Sequence, residues 1–183
     1  MHFGIVARAA WVVACALVLA GCSPFAEQPV GNANVPQPRL PVDLQKYLGR
    51  WYELARYEAS FQKGCEGVTA DYALRPDGAV KVVNSCRQDS PSGPLRSAEA
   101  KATVVENSGG AKLRVTFFWP FTGDYWVLDR AQDYSWSIVG EPSGRYLWVL
   151  SRDPRPPEAQ YQALVARVAE LGYDTRLLRR TRH

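Results

Sequence analysis

Thiols are the most reactive side chains in this sequence, which carries Cys15, Cys22, Cys65 and Cys86. In an oxidising compartment Cys65 and Cys86 can join as a disulfide. A thiol left free can instead attack as a thiolate, provided a nearby cation or base lowers its pKa. Lys63 is close to Cys65 in the chain, whereas both histidines, His2 and His183, lie at the termini. Disulfide and nucleophile therefore both stay open for Cys65. Other chemistries are excluded more firmly. The sequence contains no Gly-rich phosphate loop, no Cys-x-x-Cys, no His-Glu-x-x-His and no Gly-x-Ser-x-Gly. Two histidines at opposite termini, His2 and His183, cannot build a His-based metal site, so neither metal nor cofactor is expected. The formal charge of +4 is spread along the 183 residues, and only the stretch 176–182 is dense in base. Nucleic-acid binding usually gathers charge onto one face, so it is not expected either. The basic tail reads as a solvated terminus.

Cys22 belongs to a different setting. An apolar run of about 12 residues, 9–20, follows Arg8 and is too short to span a bilayer of ~20 helical residues. It reads as the core of a secretory signal. The run ends in Leu19-Ala20-Gly21-Cys22, which resembles the bacterial lipoprotein box. That resemblance implies cleavage before Cys22, lipidation of its thiol and anchoring in a membrane. Ser23 in place of Asp favours the outer membrane, facing the periplasm. Residues 1–21 are thus read as a leader. Residues 22–41 hold Pro24, Pro29, Pro36, Pro38 and Pro41 and read as an extended tether. At about 3.1 Å per residue it reaches roughly 60 Å from the lipid. The domain proper is expected over 42–183.

The elements that must position the remaining residues follow from periodicity. Residues 43–47 suit one helical turn ended by Gly49. Alternating apolar residues predict eight strands, at 50–57, 68–74, 80–84, 96–106, 112–118, 125–129, 135–139 and 145–152. Turn residues such as Arg75-Pro76-Asp77-Gly78-Ala79 separate them. Six Trp, nine Tyr and six Phe suit β-rich packing. Then the period changes: Tyr161, Leu164, Val165, Val168 and Leu171 form one helical stripe after Pro156 and Pro157, and Gly172 ends it. Residues 173–178 suit a last short strand. An open eight-stranded sheet exposes two edges, and closure removes them. The fold expected is all-β: an eight-stranded antiparallel up-and-down barrel with one C-terminal helix packed outside. Such a barrel is just wide enough for side chains or one small ligand. Trp119, Phe121 and Trp126 form an aromatic group near one turn, suited to a lipid-touching rim or to loop packing.

Gly49-Arg50-Trp51-Tyr52 opens the first strand, and Leu147-Trp148-Val149-Leu150-Ser151-Arg152 forms the last before the helix. These resemble the Gly-x-Trp and late Arg motifs of the lipocalin family. Between them, Val127-Leu128-Asp129-Arg130 stands where the family has Thr-Asp-Tyr, and only Asp129 matches. The stretch Gly-Arg-Trp-Tyr-Glu-Leu-Ala-Arg-Tyr (49–57) is most similar to the bacterial Blc-type lipocalins and to apolipoprotein D. The resemblance implies that Gly49, Trp51 and Arg152 close one end of the barrel, with the guanidinium stacked on the indole. With Arg152 pointing inward, alternation places Leu150, Trp148 and Tyr146 inward too. The likeness to apolipoprotein D favours Tyr72 and Asn84 inward, to which alternation adds Val68, Ala70, Val80 and Val82. A three-residue turn at 76–78 puts Tyr72 opposite Val82 and Leu74 opposite Val80, which agrees in parity. Phe117 and Tyr125 are further wall.

The function implied is non-catalytic binding of a hydrophobic ligand, a fatty acid or lysophospholipid, for lipid carriage or outer-membrane maintenance. Related bacterial proteins can pair as homodimers. One rival reading is a lipocalin-fold enzyme using Cys65. The other is a structural lipoprotein with a filled barrel that acts through its surface.

Overall fold

A computed structural model describes residues 28–118 and 120–183. The leader, Cys22 and Trp119 lie outside the described residues, as does the side chain of Phe121. The chain begins its regular structure with α1 (Leu44–Tyr47), capped by the Asp43 side chain, which accepts from the Gln45 amide. The strands are β1 (Gly49–Tyr57), β2 (Cys65–Leu74), β3 (Val80–Gln88), β4 (Leu95–Val104), β5 (Lys112–Phe118), β6 (Phe121–Arg130), β7 (Trp136–Gly140) and β8 (Leu147–Ser151), then α2 (Glu158–Glu170) and β9 (Leu178–Arg180). Consecutive strands pair antiparallel from β2 through β8, β8 pairs with β1, and β1 returns to β2. The eight-stranded barrel is therefore closed, and its pairing leaves no long free edge.

The register of β2 on β3 places Tyr72 opposite Val82 and Leu74 opposite Val80, as the turn at 76–78 predicts. Alternation then splits the apolar residues into two cores. One lies inside the barrel and includes Trp51, Tyr72, Val80, Val82, Leu113, Val127, Val139 and Leu150. The other lies between the outer wall and α2, where Tyr161, Leu164 and Val168 meet Leu128, Ile138, Leu147 and Val149. Burying each such side chain contributes roughly 1.5–3 kcal/mol, which holds the helix on the barrel.

Three features depart from the sequence reading. First, the described part of the expected tether, 28–41, does not hang free. The Gly31 amide donates to the Gly144 carbonyl at 2.9 Å, and the Gly31 carbonyl accepts from the Asp174 amide. Asn32 is buried and donates to the Leu171 carbonyl. Gly144 has φ +67°, and a Cβ there would lie 1.8 Å from the Asn32 carbonyl oxygen. Any reach from the lipid is thus shortened to the part before this strap.

Second, the last strand begins later than expected. The Asp174 side chain accepts from the Arg176 amide and holds 175–177 in a 3-10 turn, so extended structure starts at Leu178. β9 pairs with the second half of β1, Ala55 to Tyr57, while β2 pairs only with 49–52. The Gly67 amide donates to the Arg182 carbonyl. The C-terminal tail therefore fills the seam where β1 and β2 part.

Third, the basic tail is not merely solvated. Arg179 and Arg182 both bind the buried Glu66, and Arg180 lies over the Tyr161 ring and pairs with Glu158.

Candidate functional site

The barrel interior has a plugged end and an open one. At the plugged end Trp51 is fully buried and donates its indole N–H to the Tyr47 carbonyl at 2.8 Å. The Arg152 guanidinium lies 3.8 Å over the indole. It donates to the carbonyls of Arg50, Lys46, Tyr47 and Leu48, tying the last strand to α1 and the start of β1. Gly49 sits in that same layer, opposite Tyr72. Asp129, the one matching residue of the middle motif, is buried and accepts from Arg167 of α2. Leu128, in place of Thr, packs under the helix. Arg130, in place of Tyr, binds the Pro41 carbonyl and lies over Tyr134. Asp129 thus links β6 to α2, accepting from Arg167 and from the Arg130 amide.

Just above the plug, four hydroxyls from α1, β2, β6 and β7 meet. Tyr47 Oη lies 2.8 Å from Tyr125 Oη and 3.1 Å from Ser137 Oγ, and Tyr72 Oη lies 2.9 Å from Tyr125 Oη. Burial, opposed by the hydrogen bonds to Ser137 and Tyr125, pushes the Tyr47 phenol up to about 12. Burial raises Tyr72 and Tyr125 as well. These phenols stay neutral at physiological pH. Tyr72 and Tyr125 are the expected wall residues. Tyr47 and Ser137 escaped the sequence reading because neither sits in an alternating apolar pattern that marks it.

Above this layer the inward-facing side chains lose their cover. On β3, Val80 and Val82 are buried and Asn84 is half-buried. On β4, Ala102 and Ala100 are buried and Ala98 is exposed. On β5, Leu113 is buried, Val115 is half-buried and Phe117 is 48% exposed. Ala70, Tyr125, Tyr146 and Trp148 are half-buried, and Leu150 is buried. The inward faces of β4, β5 and β8 therefore grow more accessible away from the plug, whereas Glu53 and Arg56 on β1 and Cys86 on β3 stay buried. Phe117, expected on the wall, lies at the rim instead, past a bulge between Thr116 and Phe118. Phe61, at 67% exposed, stacks near Tyr146, which lies parallel to Trp148 with centroids 6.0 Å apart. The Trp148 indole donates to Gln62 Oε1. Trp126 packs against the outer core under Lys112 and forms no part of the rim.

Val68, expected on the wall, packs against a disulfide. Cys65 and Cys86 form a disulfide. A bulge between Glu66 and Thr69, with Gly67 at φ +53°, lets Cys65 reach Cys86, although regular pairing puts position 68 opposite it. A closed loop of 21 residues contributes roughly 3 kcal/mol by restricting the unfolded chain. Val68 packs with the two cysteines in a small cluster of its own. The disulfide also occupies the Cys65 thiol that a thiolate mechanism needs.

Sequence reasoning missed one buried ionic cluster. Arg56 and Glu53, both fully covered, pair at 2.7 Å. Burial works against the Arg56 charge, but Glu53 and Glu58 outweigh it and raise its pKa. Gln62 and Thr181 complete the carboxylate of Glu53. Glu53 shares the inner face with Trp51 by alternation, and a register shift in β1 between Glu53 and Ala55 brings Arg56 to that face as well. Strict alternation hides it. Among the described residues no cluster of metal-ligating side chains is present.

Comparison with known proteins matches this architecture throughout. A family model described as a lipocalin-like domain matches residues 42–183. The chain is 37% identical over 173 residues to the outer membrane lipoprotein Blc of Vibrio cholerae, covering 93% of this chain and 96% of that one. It is 36% identical over 139 residues to apolipoprotein D of Rattus norvegicus, covering 70% and 71%. Among solved structures, the cockroach allergen Per a 4 superposes with a TM-score of 0.63 at 16% identity, covering 83% and 95%.

Proposed function

The chain belongs to the lipocalin family, and on that premise we propose that it binds a hydrophobic ligand, a fatty acid or lysophospholipid, inside its barrel. The observation that carries this reading is the gradient of exposure along the inward faces of β4 and β5. Ala102 and Ala100 are buried and Ala98 is exposed, and Leu113 is buried, Val115 half-buried and Phe117 exposed, as expected of a cup with a filled base and an accessible wall on that side. Ala70, Tyr72, Val82, Asn84, Tyr125, Trp148 and Leu150 are its proposed lining. Val68, Tyr146 and Phe117 lie at its margins. Such a lining is mostly apolar with a few polar groups, the usual make-up of a small-molecule site. Apolar burial at about 25 cal/mol per Å² supplies the affinity.

The Vibrio relative is an outer membrane lipoprotein by name. We extend that placement to this chain through Cys22, with the barrel on the periplasmic side and a role in lipid storage, transport or membrane maintenance. Two acyl anchors or more hold a protein stably on a bilayer. Native mass spectrometry after mild extraction tests the binding: co-purifying lipid is expected. A delipidated sample that ignores palmitate and lysophospholipid at micromolar concentrations refutes it and leaves a role through the outer surface. Changing Cys22 to Ala is expected to move the protein out of the membrane fraction, and unchanged fractionation refutes the anchor.

A further inference from the structure

We propose that the four-hydroxyl layer above the plug is a subsite for the oxygen end of an acyl ligand, so that a fatty carboxylate sits head-down with its tail toward the mouth. The proposal rests on the lipid-binding reading above and adds orientation and head-group class to it.

The argument is a proton count. Ser137, Tyr47, Tyr125 and Tyr72 each bring one O–H donor and an oxygen that accepts. Three contacts join them. Three bonds consume three protons, so every arrangement leaves one O–H without an acceptor. Ser137, Tyr47 and Tyr72 are buried, whereas Tyr125 is only half-buried. The spare proton is usable when Tyr47 and Tyr72 both donate to Tyr125, Ser137 donates to Tyr47, and Tyr125 donates away from the layer on its accessible side. A phenol oxygen has two lone pairs for the two incoming bonds. Two donors on one oxygen also strengthen its own O–H as a donor, because chained hydrogen bonds polarise one another.

Charge selects among acceptors. The Arg152 guanidinium beneath the layer binds backbone carbonyls and has no carboxylate partner among the described residues. The buried carboxylates lie elsewhere and are paired: Glu53 with Arg56, Glu66 with Arg179 and Arg182, Asp129 with Arg167. The rest of the layer is apolar, built from Val80, Val82, Leu113 and Leu150. A surplus donor above a cation that has no carboxylate partner fits a carboxylate and rejects an ammonium.

The test uses the delipidated full chain with palmitate labelled with ¹³C at the carboxyl or at the terminal methyl, and a soluble gadolinium chelate as relaxation agent. The carboxyl resonance is expected to stay sharp while the methyl resonance broadens. Tyr125→Phe is expected to weaken palmitate about tenfold more than it weakens N-phenyl-1-naphthylamine, a neutral apolar probe. Tyr72→Phe, which removes a donor to Tyr125, serves as a second variant and is expected to weaken palmitate in the same direction. A broadened carboxyl resonance, or palmitate affinity unchanged in both variants, overturns the head-down subsite while lipid binding stands. Failure of the unmodified protein to bind either probe removes the lipid-binding reading, and the subsite with it.

Discussion

Removing the Arg152 side chain tests the closure of the barrel most directly. Arg152→Ala deletes the contact over Trp51 and the bonds to four carbonyls of residues 46–50. A cation over an indole contributes ~1–2 kcal/mol when partly desolvated. Hydrogen bonds from a charged donor net about 1.5–3 kcal/mol each. The four carbonyls share two nitrogens and the side chain keeps some exposure, so two effective bonds at the lower end, about 3 kcal/mol, is the fair count. Ordering an arginine side chain offsets up to ~2 kcal/mol of the total. The net loss is about 2–3 kcal/mol. For a domain of this size each kcal/mol moves Tm by roughly 2–4 °C, so a fall of about 5–10 °C is expected. Thermal melts followed by near-ultraviolet circular dichroism, which reports the Trp51 environment, measure it. Arg152→Lys keeps a charge but not the planar fork, and should recover less than half of the loss. A Tm within 2 °C of the unmodified protein, or a lysine variant that melts like it, refutes the reasoning.

Three further outcomes are expected. Replacing Cys65 and Cys86 together by Ala should cost roughly 3 kcal/mol in urea unfolding, and an unchanged midpoint counts against a structural bond. Alkaline pH should destabilise the plugged end. Tyr47 is raised from 10.0 to about 12 in the fold, so its neutral form contributes stability present below pH 10 and lost as pH rises through about 12. Phenol absorbance should show a late-titrating group and a falling Tm over that window, and a single ordinary phenol transition contradicts it. Glu53→Gln leaves the guanidinium of Arg56 buried with a weakened partner, a loss of about 3–5 kcal/mol for breaking such a pair outright and somewhat less here. Hydrogen exchange should quicken first in 178–183, and uniform exchange across the barrel argues against the tail as its dependent.

Local patterns in the chain decided more than the fold class. The alternation through 68–84 and the turn at Pro76 to Gly78 settled which residues of β2 and β3 face one another, because a pleat has period two and a short turn fixes register. The stripe from Tyr161 to Leu171 likewise fixed α2 and its buried face. The spacing of Trp51 and Arg152, read through a family likeness, placed the plug. The rest needed closure. Whether Tyr47, Tyr72, Tyr125 and Ser137 share one layer depends on strand tilt and stagger around the whole barrel, which no window of the chain encodes. Arg56 joined Glu53 on the inner face because one bulge broke the alternation that would have sent it to the outer face. The tail came to fill a seam because the bulge at Gly67 ends the pairing of β2 with β1, a vacancy that exists only once distant segments are side by side. Period and turn chemistry act between neighbours and are written in order along the chain; contacts across a closed sheet are set by geometry that the neighbours cannot know.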